Sequence, residues 1–209
     1  MSKLKIPSSP VLDMTPMVDL AFLLVTFFML TTKFRPDEPV TVDMPSSVSD
    51  KILPENVLMI TVDSAGRVFY NIEGQFTRRE LLASLGSKYK IEFTEQEQQR
   101  FAVLSTIGMS MQNLKTYLGA DEAGRKAMNL KTAGIPIDST NNQLADWIVY
   151  GWRAAVNTAV KNNKEKDLRF AIRGDGAANY TTIKRVVEIF QEQDINRFNL
   201  ITTLEAKPQ

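Results

Sequence analysis

Residues 14–32 read "MTPMVDLAFLLVTFFMLTT", a nearly unbroken apolar run with one acid, Asp19, close to its start. From Leu20 to Thr32 the run holds 13 residues, about 20 Å of helix at about 1.5 Å per residue. A hydrocarbon core of about 30 Å needs closer to about 20 residues. With Asp19 left outside, the remainder is too short to cross a bilayer. A span must begin near Met14 or Pro16, and that start places Asp19 within it. Thr15-Pro16 supports the start, since Thr caps helix N-termini and Pro is favoured at the first helical position. The sequence therefore predicts a transmembrane helix over residues 14–33, with Pro16 at its start.

Two other readings of the run fit less well. A soluble core helix needs a polar face, and Leu20–Leu30 is apolar all round except for Thr26. A cleaved signal peptide needs a small-x-small site, which "TTKFRP" lacks, and an acid ahead of the apolar region is unusual. A third reading keeps the span but lets Asp19 lie shallow, near the positive end of the helix dipole.

At helical spacing Thr15, Asp19 and Thr26 lie along one stripe, shared with Leu23 and Leu30. A polar seam on one side of a span faces protein or trapped water, because acyl chains offer it no partner. A carboxylate in such a place is costly as an anion and cheap as a neutral acid. Asp19 is thus a candidate proton carrier, with Thr15 and Thr26 as pore-facing support. The flanking charges, Lys3 and Lys5 before and Lys33 and Arg35 after with Asp37 and Glu38, lean slightly to a cytoplasmic N-terminus.

The composition narrows the remaining chemistry. Among 209 residues there is no Cys and no His, and Lys plus Arg (25) nearly balances Asp plus Glu (24) for a net charge of +1. Thiol catalysis, histidine acid–base work, disulfides and most zinc sites are excluded. The balance points to no nucleic-acid partner. No constellation for hydrolysis, hydride or phosphoryl transfer is present, so no enzyme activity, metal or cofactor other than protons is expected. Arg173-Gly174-Asp175, Gly174-x-Gly176 and the sequon Asn179-Tyr180-Thr181 are each too short to carry a function.

Beyond the run, residues 34–56 are punctuated by Pro, with an alternating piece at Val40–Met44 that suits an edge strand or a tether. "VLMITVDSAGRVFYNI" predicts a hairpin turning at Ser64-Ala65-Gly66. Thr77 and Glu80 form a capping box opening a helix to about Leu85. A strand over Leu168–Arg173, a helix over Tyr180–Gln193 and a strand over Phe198–Leu204 complete β-β-α and β-α-β halves of a small α+β domain, residues 57–85 and 166–205. Residues 86–165 between them read as an all-helical insertion: a long helix from the Thr94/Glu97 capping box to about Leu118, a shorter one in "GADEAGRKAMNL", a loop "KTAGIPIDST", and a helix over Asn141–Asn162. Core packing is the expectation for both Trp147 and Trp152.

"DMTPMVDLAFLLVTFFMLTT", followed by the Val-x-Met-Pro of "VTVDMPSS", resembles the start of the ExbD/TolR family of bacterial inner-membrane proteins, and residues 57–85 and 166–205 resemble its periplasmic domain. The stretch 86–165 has no counterpart in the ordinary family pattern. The resemblance implies a single-pass protein with its first 13 residues in the cytoplasm and its C-terminal domain in the periplasm. It implies a dimer whose helices pass through a pentameric ExbB/TolQ-like multi-span partner, with protons crossing at Asp19. The expected work is to energise a TonB-like protein for outer-membrane transport. The alternatives are a TolR-like envelope-integrity or motility subunit and, from another class, a membrane-anchored periplasmic binding or scaffold protein. Val40, Val42, Met44 and Pro45 match the family's tether and are expected to bind a partner or the second protomer.

Overall fold

The computed structural model describes residues 14–31, 46–47, 56–162, 168–201 and 203–204. They belong to two separately packed units, Met1–Pro36 and Asp37–Gln209.

The first unit presents helix α1 (Thr15–Thr31). Its first helical hydrogen bond runs from the Val18 N–H to the Met14 carbonyl, 3.1 Å. Thr15 is therefore the first helical residue and Pro16 the second, one position away from the expected cap. Pro16 still sits where a missing N–H is harmless, because the first four N–H groups of a helix have no internal partner. The 17 residues of α1 rise about 25 Å. Among the described residues no helix is long and apolar enough to cross a membrane. Residues 32–33, which complete the predicted span, lie outside the described residues, as do Val40, Val42, Met44 and Pro45.

The second unit runs β1 (Ser46–Ser47), β2 (Val57–Val62), β3 (Val68–Ile72), α2 (Gln75–Tyr89), α3 (Glu95–Val103), α4 (Met111–Gly119), α5 (Glu122–Lys131), β4 (Ile137–Asp138), β5 (Asn141–Asn142), α6 (Gln143–Lys161), β6 (Arg169–Gly174), α7 (Tyr180–Glu192), β7 (Asn199–Ile201) and β8 (Thr203–Leu204). The main sheet has the order β3-β2-β6-β7. Only β2 and β3 are antiparallel; β6 lies parallel to both β2 and β7. The hairpin turn is fastened by Asp63, whose carboxylate accepts from the backbone and side chain of Arg67 at 2.8 and 2.6 Å. Gly66 supplies the left-handed φ of 75° that the turn requires. A separate two-stranded piece pairs β1 with β8 in parallel.

Register places Leu58, Ile60 and Val62 beside Ile72, Tyr70 and Val68 on one face, with Ile172 next in line. All of these are buried in one core cluster with Leu81, Leu82 and Leu85 of α2, Trp147 and Ile148 of α6, and Val186, Ile189 and Phe190 of α7. Helix α6 packs against both α2 and α7. The insertion thus supplies part of the one core instead of resting on a finished domain. Trp147 is fully buried, its ring 5.2 Å from Tyr70 and 6.1 Å from Phe101. Gly151 permits that approach, since a Cβ there would lie 1.9 Å from the Tyr70 hydroxyl.

Several sequence expectations are corrected. Thr77 does not cap α2. The chain enters that helix three residues earlier at Gly74, with φ 92°, and Thr77 is buried within the first turn. Glu80 instead accepts from Asn157 of α6 at 2.7 Å and pairs with Lys161. The helix also passes Leu85 and ends at Tyr89, capped by Lys90 in the left-handed region. The Thr94/Glu97 capping box is present, yet the helix it opens stops at Val103. Residues 104–110 leave the helix because Ile107 pairs with Tyr70 on the outer edge of β3, through bonds of 2.7 and 2.9 Å. Gly108 is needed there, as a Cβ would lie 2.2 Å from the Phe69 ring. With that bridge and the β4–β5 hairpin, the insertion is not all-helical. Asn141 and Asn142 belong to β5, so α6 starts at Gln143. The last strand divides into β7 and β8, which have different partners. Trp152 is 48% exposed, not core.

The Gly151 contact is testable by a double-mutant cycle. Gly151→Ala is expected to destabilise by about 1–3 kcal/mol, since overpacking forces the neighbours to move. Tyr70→Phe removes a buried hydroxyl that has no hydrogen-bond partner and is expected to stabilise by about 1 kcal/mol. In the double variant the alanine should be better tolerated, because the next atom is 3.1 Å away. Urea unfolding of all three variants measures the coupling; simple additivity contradicts the contact.

Candidate functional site

Every described residue of the first unit is exposed except Thr26, which is half-buried. That includes Leu20, Phe22, Leu23, Leu24, Val25, Phe27, Phe28, Met29 and Leu30. A helix that is apolar all round needs lipid or other helices around it, because no side of it suits water.

Thr15, Asp19 and Thr26 all lie on α1. At about 100° per residue, Thr15, Asp19 and Thr26 fall within an arc of about 40°, with Met17, Leu24 and Phe28 on the far side. The three are aligned but not joined. Seven residues rise about 10.5 Å, so Thr26 shares the side of Asp19 without reaching it. The Thr26 hydroxyl donates to its own helix, 2.9 Å from the Phe22 carbonyl and 2.9 Å from the Leu23 carbonyl. This leaves its lone pairs to accept from water or a neighbouring chain. Thr31, which sequence reasoning passed over, binds the Phe27 carbonyl in the same way at 2.8 Å. Among the described residues the Asp19 carboxyl has no hydrogen-bond or ionic partner. A carboxyl on an apolar helix needs a polar partner or water to hold its charge.

In the second unit one ionisable group that ties two helices together is Asp146, on the first turn of α6. It accepts from the Tyr89 hydroxyl at 2.7 Å and pairs with Lys88, joining α6 to the end of α2. Its neighbours come from a helix 57 residues away in sequence, so no local motif announces it. Among the described residues no group of three or more acidic side chains is placed to hold a metal ion.

A family model described as "Biopolymer transport protein ExbD/TolR" matches residues 7–205, from the approach to α1 to the end of β8. The chain belongs to the ExbD/TolR family. The match runs across both units and brackets the insertion. Members of this family are energy-transduction subunits of biopolymer transport, not enzymes, and they work with ExbB/TolQ-type partners. No curated protein and no solved structure matches the chain.

The Tyr89–Asp146 contact sets an alkaline limit. Burial first, and then the hydrogen bond to Asp146, hold the Tyr89 hydroxyl above its ordinary pKa. The folded state favours the neutral phenol, so the contribution is complete below the unfolded value of about 10 and is lost as pH rises beyond it. Tyr89→Phe should cost about 0.5–1.5 kcal/mol at neutral pH. The difference from wild type should shrink above about pH 10, as followed by thermal unfolding across pH.

Proposed function

We propose that this chain is the proton-carrying subunit of an inner-membrane motor. In this reading α1, extended by its flanking residues, is a single-pass anchor with its N-terminus in the cytoplasm and the second unit in the periplasm. A helix somewhat shorter than the hydrocarbon core is accommodated by local thinning and by flanking polar groups. Two copies thread a pentameric ExbB/TolQ-like partner, and the second unit passes motion to a TonB-like protein that serves outer-membrane transport.

One observation carries the reading: a carboxyl with no partner among the described residues, on a helix that is otherwise apolar on almost every side, in a member of a proton-channel family. Asp19 is neutral when it faces a dry surface and ionised when it meets a polar partner or water. Exchange between those two states, at two helices within one ring, couples proton entry to movement. Thr15 and Thr26 lie on the same side, where each is positioned to hold a water or a partner residue. Val40, Val42, Met44 and Pro45 form the tether to the working unit and carry its partner-binding role.

Asp19→Asn keeps size and polarity and removes the titration. It should abolish uptake driven by the proton motive force while leaving co-purification with the multi-span partner intact. Asp19→Glu should retain part of the function. Full uptake by the asparagine variant contradicts the proposal. Loss of detergent resistance with uptake preserved would assign the chain to a TolR-like role instead.

A further inference from the structure

Trp152 is the largest exposed side chain of α6 and has no place in the core. It lines a trough of about 710 Å³ between the middle of α6, the start of β6 and the turn from α7 to β7. The floor is apolar: Ile148, Leu168 and Phe170, of which Ile148 is fully buried. Two guanidinium groups, Arg153 and Arg197, stand on the rim. Among the described residues neither meets a carboxylate; Arg153 lies over the Tyr150 ring at 5.6 Å. Asp194 is the single acid of the lining. An indole beside two arginines, above an apolar floor, is the composition of a protein-binding centre rather than of a solvated surface.

We infer that this trough binds a partner polypeptide segment that carries an apolar anchor flanked by carboxylates. The apolar anchor fits the floor beside Trp152. The flanking carboxylates answer the two guanidinium groups, which meet no carboxylate among the described residues and favour planar, bidentate anions. A membrane surface is a poorer match, because the apolar residues line a concavity and a bilayer is met by a flat or projecting apolar face. The site exists because the insertion places α6 beside β6, so it is a property of residues 143–161 and 168–197 together. It is separate from the proton role of Asp19, and its readout is binding, not transport.

The test uses the full-length protein in detergent micelles and a fluorescein-labelled decapeptide with a central Leu-Phe-Leu flanked by Asp. A control peptide carries Lys in place of every Asp, and empty micelles set the background. The acidic peptide should raise its anisotropy on the wild-type protein, while the Lys peptide stays at background. Trp152→Ala should weaken binding at least about tenfold, the loss of one hot-spot side chain. The double variant Arg153→Glu, Arg197→Glu should lose the acidic peptide and gain the Lys peptide. All of these positions are exposed, and unchanged circular dichroism establishes that the variants are folded. Equal binding of both peptides, no binding of either, or acidic-peptide binding unaffected by the double variant overturns the inference.

Discussion

The second unit depends on one close approach, that of α6 to the hairpin strands at Gly151 and Trp147. Any side chain at position 151 would collide with Tyr70, and without that approach the Trp147 indole has no place to go. With it, Trp147 fills the space between Tyr70 and Phe101, and a residue of the insertion joins strand β3 to helix α3. A fully buried Trp contributes about 3–5 kcal/mol by the cost of truncating it to Ala. That is a large share of a typical stability of about 5–15 kcal/mol. Residues 86–165 are therefore not an appendage on a self-sufficient sheet, although the sheet and α7 alone follow a recognisable β-β-α, β-α-β order.

The first unit obeys a different constraint. Nothing of α1 is buried, and its one carboxyl lies among residues chosen for an apolar surrounding. Water on the outside contradicts the leucines and phenylalanines, and lipid on every side contradicts Asp19. A surrounding that is part lipid and part protein satisfies both. The family to which the chain belongs works with ExbB/TolQ-type partners. Thr15, Asp19 and Thr26 lie on one side of α1, and Met17, Leu24 and Phe28 lie on the other.

How much was legible in the sequence follows the range of the interactions. Alternation and turn chemistry over residues 57–72 are local, and the hairpin is where they place it. Thr94 and Glu97 are three residues apart, and their capping box forms. The same motif at Thr77 and Glu80 failed because Gly74 opened the helix earlier and because Glu80 found partners on α6, 77 and 81 residues away. Residues 104–110 left the helix for the edge of β3, a competitor that no helical pattern reveals. Trp152 reads like Trp147 by residue type, but the burial of each is decided by which side of α6 meets the sheet. At α1 the apolar pattern is its own signal, and Thr15, Asp19 and Thr26 all fall within the helix.

The central claim is that the Asp19 carboxyl itself gains and loses a proton as the assembly works. Isotope-edited infrared difference spectroscopy on the co-purified complex, with a pH gradient imposed across proteoliposomes, follows that carboxyl directly. The account predicts a protonated-carboxyl band that rises and falls with proton flux and is missing from the Asp19→Asn variant. Sustained proton flux with the Asp19 signal unchanged would contradict it.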